Sequence, residues 1–80
     1  MKEFLIPEQI EYFRSFYKCK KDIKLIKVNI TTGTNVTLGE VKEDIDYVAE
    51  ILNPHQEINY KLEFDDSLPA DKKIIKVIVL

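Results

Sequence analysis

Val28-Asn-Ile-Thr-Thr-Gly-Thr-Asn-Val-Thr-Leu-Gly-Glu-Val41 begins as one kind of secondary structure and ends as another. Its first residues close a run from Ile23 to Ile30 that is β-branched and apolar, with Ile26, Val28 and Ile30 on one face of a strand. Thr31, Thr32 and Gly33 read as a loop. Thr37 then stands as a helix N-cap, with Glu40 three residues later to complete a capping box and Val36 and Val41 placed as the hydrophobic staple across it. From there Leu38, Val41, Ile45, Val48, Ala49 and Leu52 recur at helical spacing. Pro54 ends the helix by biasing Asn53 away from helical angles.

Downstream, residues 57–64 alternate: Ile58, Tyr60, Leu62 and Phe64 point one way, and Glu57, Asn59, Lys61 and Glu63 the other. That pattern predicts a half-buried strand. Strand, helix and strand over residues 23–64 require a right-handed parallel crossover. An acidic turn containing Pro69 leads to a last strand at 73–80, expected to run antiparallel to what precedes it. Upstream, Ile6, Ile10, Phe13 and Tyr17 share one face of a helix at 8–21. Pro7 fits its first position, and Glu8, Glu11, Lys18, Lys20 and Lys21 complement its dipole. Lys2–Ile6 is read as a short strand. The expected fold is α+β in one domain over residues 1–80, a small mixed sheet of three to four strands with two helices on one face.

The chain's chemistry is sparse. Its net charge of −2 gives no electrostatic drive toward nucleic acid or an anionic membrane. No apolar run approaches the ~20 residues of a membrane span, no signal peptide is visible, and a single cysteine makes the cytoplasm the expected location. Cys19 has neighbouring lysines but no His or acid to make a nucleophile pair. His55, the only histidine, cannot form a metal site alone. Asp65, Asp66 and Asp71 lack calcium-loop spacing and read as turn chemistry. Lys18, Lys20, Lys21, Lys24 and Lys27 read as a helix end running into a charged edge rather than a nucleic-acid patch. Two matches to the N-glycosylation pattern, at Asn29 and Asn35, are read as chance. No catalytic, cofactor-binding or metal-binding residue is assigned.

Residues 28–41, together with Asn53-Pro54, Asp65-Asp66-Ser67-Leu68 and the closing apolar strand, resemble the C-terminal domain of the bacterial tubulin homologue FtsZ. Domains of that family typically read Val-Asn-Ile-Thr-Gly-Gly, a short variable stretch, then Leu-(Ser/Thr)-Leu-x-Glu-Val; here Thr32 replaces the first glycine. The likeness covers roughly residues 25–80 at constant register. It implies the element order β-α-β-α-β-β, shared with chorismate-mutase-like folds. It also implies that the family's nucleotide domain, with its glycine-rich phosphate loop, has no counterpart in these residues, since Gly33 and Gly39 alone cannot build one. GTP binding and hydrolysis are therefore carried over to no residue, and the chain is read as not an enzyme.

If Ile75, Val77 and Val79 join Ile26, Val28 and Ile30 beneath the helices, then Ile74, Ile78 and Leu80 face outward, with Ile23 and Leu25 beside Lys27 and Asn29. The resemblance implies that a long central helix of the family would cover part of that face. Ile23, Leu25, Lys27, Ile74, Ile78 and Leu80 are thus the expected interface. Its partner would be a second copy or an FtsZ/tubulin-like protein. Two other readings stay open. One is an oligomeric small-molecule binder or enzyme of chorismate-mutase-like fold, disfavoured because Arg14 is the only arginine available to grip a carboxylate. The other is a fragment excised from a longer FtsZ-like protein.

Overall fold

Alternating and helical periods resolve into six elements in a computed structural model that describes residues 1–80. They are β1 (Lys2–Ile6), α1 (Ile10–Cys19), β2 (Ile26–Thr32), α2 (Leu38–Ile51), β3 (Ile58–Phe64) and β4 (Lys73–Val79). The four strands form one mixed sheet in the order β1-β4-β2-β3. β4 pairs antiparallel with both β1 and β2, whereas β2 and β3 are parallel. The fold is α+β, with the element order β-α-β-α-β-β expected from the sequence and both helices against one sheet face.

β4 runs opposite to β3 but does not lie beside it. Ile75, Val77 and Val79 are buried on the helix side while Ile74 and Ile78 occupy the other, so this strand is apolar on both faces. Such a strand belongs between two neighbours, and the amphipathic β3 is left at the edge.

Beneath the helices, Phe4, Ile6, Ile26, Val28, Ile30, Ile75, Val77 and Val79 form a continuous floor. Phe13 and Tyr17 of α1 and Val41 and Val48 of α2 close it from above. The ring of Phe13 sits 5.6 Å from that of Phe4 at a tilt of 58°, a favourable aromatic geometry. The Tyr17 hydroxyl ties the helices together: it donates to Gln56 Oε1 at 2.9 Å and accepts from the Asn53 N–H at 3.2 Å, just past the end of α2.

Several local expectations need correction. Pro7 is not the first residue of α1; it lies in a tight turn after a cis Ile6–Pro7 peptide, and α1 begins at Ile10 after Gln9. Gln9 makes that turn itself, its N–H donating to Leu5 O and its side-chain oxygen accepting from Leu5 N, both at 2.7 Å. β2 starts at Ile26 rather than Ile23 and continues through Thr32. Asp22, with φ of 68°, turns the chain sharply before it. The polar threonines extend the strand because Thr31 and Thr32 still have partners in both β3 and β4.

The cap of α2 is made by one side chain. Thr37 Oγ1 accepts from the Glu40 N–H at 3.3 Å, and Val36 packs against the core that includes Val41. The Thr37→Ala variant should lose about 1 kcal/mol of stability in urea unfolding, with an unchanged denaturant slope.

A second polar tie crosses from sheet to helix. Asp44, buried on α2, forms an ion pair with Lys73, their Oδ2 and Nζ atoms 2.7 Å apart, and Lys73 Nζ donates to Glu40 O at 3.1 Å. Lys73 keeps about a third of its side chain in water, 30% by exposure. Asp44→Ala should therefore cost about 1–3 kcal/mol, less than the loss of one partner from a fully buried pair. Urea titration at neutral pH checks it.

Candidate interaction surface

The residues first singled out for chemistry stay apart in space. Cys19 is exposed at the end of α1, and His55 is exposed in the loop after α2. No three His, Cys, Asp or Glu side chains gather in a group that could hold a metal ion. Asp65 builds a local turn: its Oδ1 accepts from the Ser67 hydroxyl at 2.6 Å and from the Ser67 N–H at 2.9 Å. Those two bonds, the hydroxyl first, hold the Asp65 carboxyl below its ordinary 3.8.

Lys18, Lys20 and Lys21 border an open depression of about 570 Å³ whose wall includes Tyr17, Ile23 and Gln56. Arg14 does not reach it; its Nε lies 3.5 Å from Glu11 Oε2 one turn back. The depression is open to solvent and its walls are mostly polar, unlike the enclosed, largely apolar sites that small ligands occupy.

On the sheet face away from the helices, Lys27, Ile74 and Ile78 lie where strand alternation puts them, while Leu25 and Leu80 fall just beyond the strand ends, Leu80 N donating to Leu25 O at 3.0 Å. Two corrections apply. Ile23 precedes β2 and packs against the helix-side core, beside Tyr17. Ile78 is only 9% exposed within a single chain, where its strand neighbours on the same face are Glu3 and Lys27. Long side chains of this kind cover an apolar neighbour with their stems while keeping their charges in water. Lys76 and Glu3, 4.0 Å apart, put a pair of opposite charges on this face beside Leu5 and Ile78. The outer face is thus a polar surface with apolar insets.

The continuous apolar exposure is on the other side, along β3. The pairing of Ile26 with Ile58, Val28 with Tyr60, Ile30 with Leu62 and Thr32 with Phe64 puts the apolar residues of β3 on the helix side of the sheet. Yet Tyr60, Leu62 and Phe64 remain 51%, 43% and 67% exposed, so the expectation of a half-buried strand fails for all but Ile58. The cause is the position of α2. Ile51, on one flank of that helix, lies around the depression beside Tyr17 and so faces α1. Leu38 and Ile45, across the buried Val41–Val48 line at 3.6 residues per turn, must face β3. α2 therefore leaves Tyr60, Leu62 and Phe64 uncovered, a shelf along the edge of the sheet. Leu38, 74% exposed, begins α2 at the end of the sheet where β3 finishes with Phe64.

The free edge of β3 is also chemically open. Ile26 N donates to Glu57 O at 3.0 Å and Asp65 N donates to Thr32 O at 2.9 Å. In a parallel ladder these bonds assign the odd-numbered residues of β3 to β2. Ile58, Tyr60, Leu62 and Phe64 consequently turn their N–H and C=O groups away from the sheet, and none of them enters any other main-chain bond. Lys61 and Glu63, 2.8 Å apart on the opposite face, pair with each other. The hydrogen bond to Glu63, and then its charge, raise the Lys61 ammonium above its ordinary 10.5. Alternation in the sequence located the apolar side of β3, but its exposure depends on where α2 lies, which no local pattern encodes.

No helix is long and apolar enough to cross a membrane. No known protein family matches the chain, and no curated protein matches it.

Proposed function

We propose that this chain is a non-catalytic protein-interaction module, similar to the C-terminal domain of FtsZ, that acts in the cytoplasm by associating with a second copy or with an FtsZ/tubulin-like subunit. One observation carries the reading: a regular edge strand presents three large apolar side chains, Tyr60, Leu62 and Phe64, beside unpaired main-chain groups. Folded domains blunt such edges with charge, proline, bulges or cover, because an open apolar edge recruits another chain, and the charges of β3, Lys61 and Glu63, are engaged with each other on the opposite face. β3 has no proline and an unbroken register over all seven of its residues.

Sedimentation velocity from about 1 to 500 µM tests the reading, together with co-sedimentation on filaments of a purified FtsZ. Leu62→Lys should lower the association constant at least tenfold while keeping a cooperative circular dichroism melt, because Leu62 lies at the exposed edge outside the buried core. A wild-type chain that stays monomeric throughout that range and ignores the filaments would end this proposal. Calorimetry with GTP should show no binding to the isolated chain, since these residues contain no loop to cradle a phosphate chain. Micromolar affinity would instead assign the domain a nucleotide role.

A further inference from the structure

We propose that the occupant of this edge is a second copy of the chain, joined β3 to β3 in antiparallel register about a two-fold axis at Leu62. The inference rests on the interaction reading above and specifies its partner and geometry. In an antiparallel pair, residues with outward main-chain groups exchange both of their hydrogen bonds. The outward residues of β3 are the even-numbered ones, so Leu62 meets Leu62 of the other copy and Tyr60 meets Phe64. Between these pairs, Lys61 of each copy stands opposite Glu63 of the other. The same register thus joins apolar to apolar on one face and opposite charges on the other. Moving the axis by one residue, to Lys61 or to Glu63, sets like charges directly against each other. The sequence of the strand is self-complementary in one register and self-repelling in its neighbours.

The geometry suits closure. A two-fold axis normal to the sheet keeps the helices of both copies on the same side, and two four-stranded sheets become one of eight strands. Tyr60, Leu62 and Phe64 from each copy then lie together in the trough between the two α2 helices, with Leu38 at its ends. Neither copy retains an open β3.

Charge reversal tests this register specifically. The variants Lys61→Glu and Glu63→Lys, each alone, place like charges opposite one another twice per dimer by symmetry. Sedimentation equilibrium under reducing conditions should show each weakened about tenfold. The double variant Lys61→Glu/Glu63→Lys should return to within about threefold of the wild type. An equimolar mixture of the two single variants should associate more tightly than either alone, because all facing charges are then opposite. Single variants that associate like the wild type, or a mixture no tighter than its components, would overturn the register. If Leu62→Lys still abolishes association in that case, the apolar surface stands and only the pairing is wrong. A wild type that is monomeric to 500 µM overturns the dimer outright, and co-sedimentation with filaments then decides the broader reading. All positions changed are exposed, so circular dichroism should report an intact fold throughout.

Discussion

Val77→Lys is expected to abolish the cooperative thermal transition, whereas Ile78→Lys, one residue along, should still fold. Val77 is fully buried in the middle of the sheet, paired with Phe4 on one side and Val28 on the other, and capped by the helices. A lysine there has no route to water and no acidic partner in the floor. Its uncompensated charge costs several kcal/mol, comparable with the entire ~4–12 kcal/mol stability of a domain this small. Ile78 is nearly as buried by area, but its cover is of another kind, since it faces away from the helices between Glu3 and Lys27. A lysine at 78 can extend past those neighbours and place its charge beside Glu3, for a loss of about 1–2 kcal/mol. Circular dichroism melts of both variants separate the cases. Should Ile78→Lys unfold while Val77→Lys melts normally, the two faces of β4 have been exchanged. Ile78→Lys should also leave association unaltered if β3 is the interface.

Gly33→Ala should be nearly as damaging, for a reason unrelated to backbone angles, since no glycine here has a positive φ. Gly33 follows the last residue of β2 and donates to Lys72 O at 2.8 Å, and Asn35 N donates to Ala70 O at 2.7 Å. These bonds draw the acidic turn tightly over the glycine. A Cβ at position 33 would meet the main-chain oxygen of Pro69 and lie 2.7 Å from that of Ala70. Backbone cannot step aside as a side chain can, so a loss of about 2–4 kcal/mol is expected in urea unfolding. Gly39→Ala is the matching control. It lies in the first turn of α2, where the nearest atom to a new Cβ, Thr37 Oγ1, is 3.9 Å away. That variant should gain about 0.5–1 kcal/mol from helix propensity. Equal losses at both glycines would mean that the turn over Gly33 is looser than described.

The contrast between these glycines shows which parts of the fold a sequence exposes. Thr37, Val41, Val48 and the alternation of β3 are local signals, set by periods of 3.6 and 2, and they place α2 and β3 correctly. The two faces of β4 were also readable, because alternation divides Ile75, Val77 and Val79 from Ile74 and Ile78. What local pattern could not give was anything set by distant contact. Ile23 looked like strand by composition, yet the turn at Asp22 and the packing against the helix-side core take it out of the sheet. Ile78 looked uncovered because alternation counts faces and ignores the stems of neighbouring charged side chains. The shelf along β3 was missed because alternation alone implies cover by a helix, and α2 leaves Tyr60, Leu62 and Phe64 uncovered.

The sheet order has a consequence for how the chain is made. β1 touches no strand except β4, which is also the only link between β1 and β2. A nascent polypeptide that has not yet exposed residues 73–79 holds a crossover unit on one side and a lone strand with its helix on the other, with an unfilled slot between them. Neither half can close its floor, because Ile75, Val77 and Val79 are still missing. β4 is thus the keystone, and its docking joins β1 to the β2–α2–β3 unit. Assembly in that order is non-local and late, the regime in which folding is slow for a chain of this size. Until β4 docks, the apolar residues of β1, β2 and β3 are open together, and a chain caught at that stage is at its most adhesive.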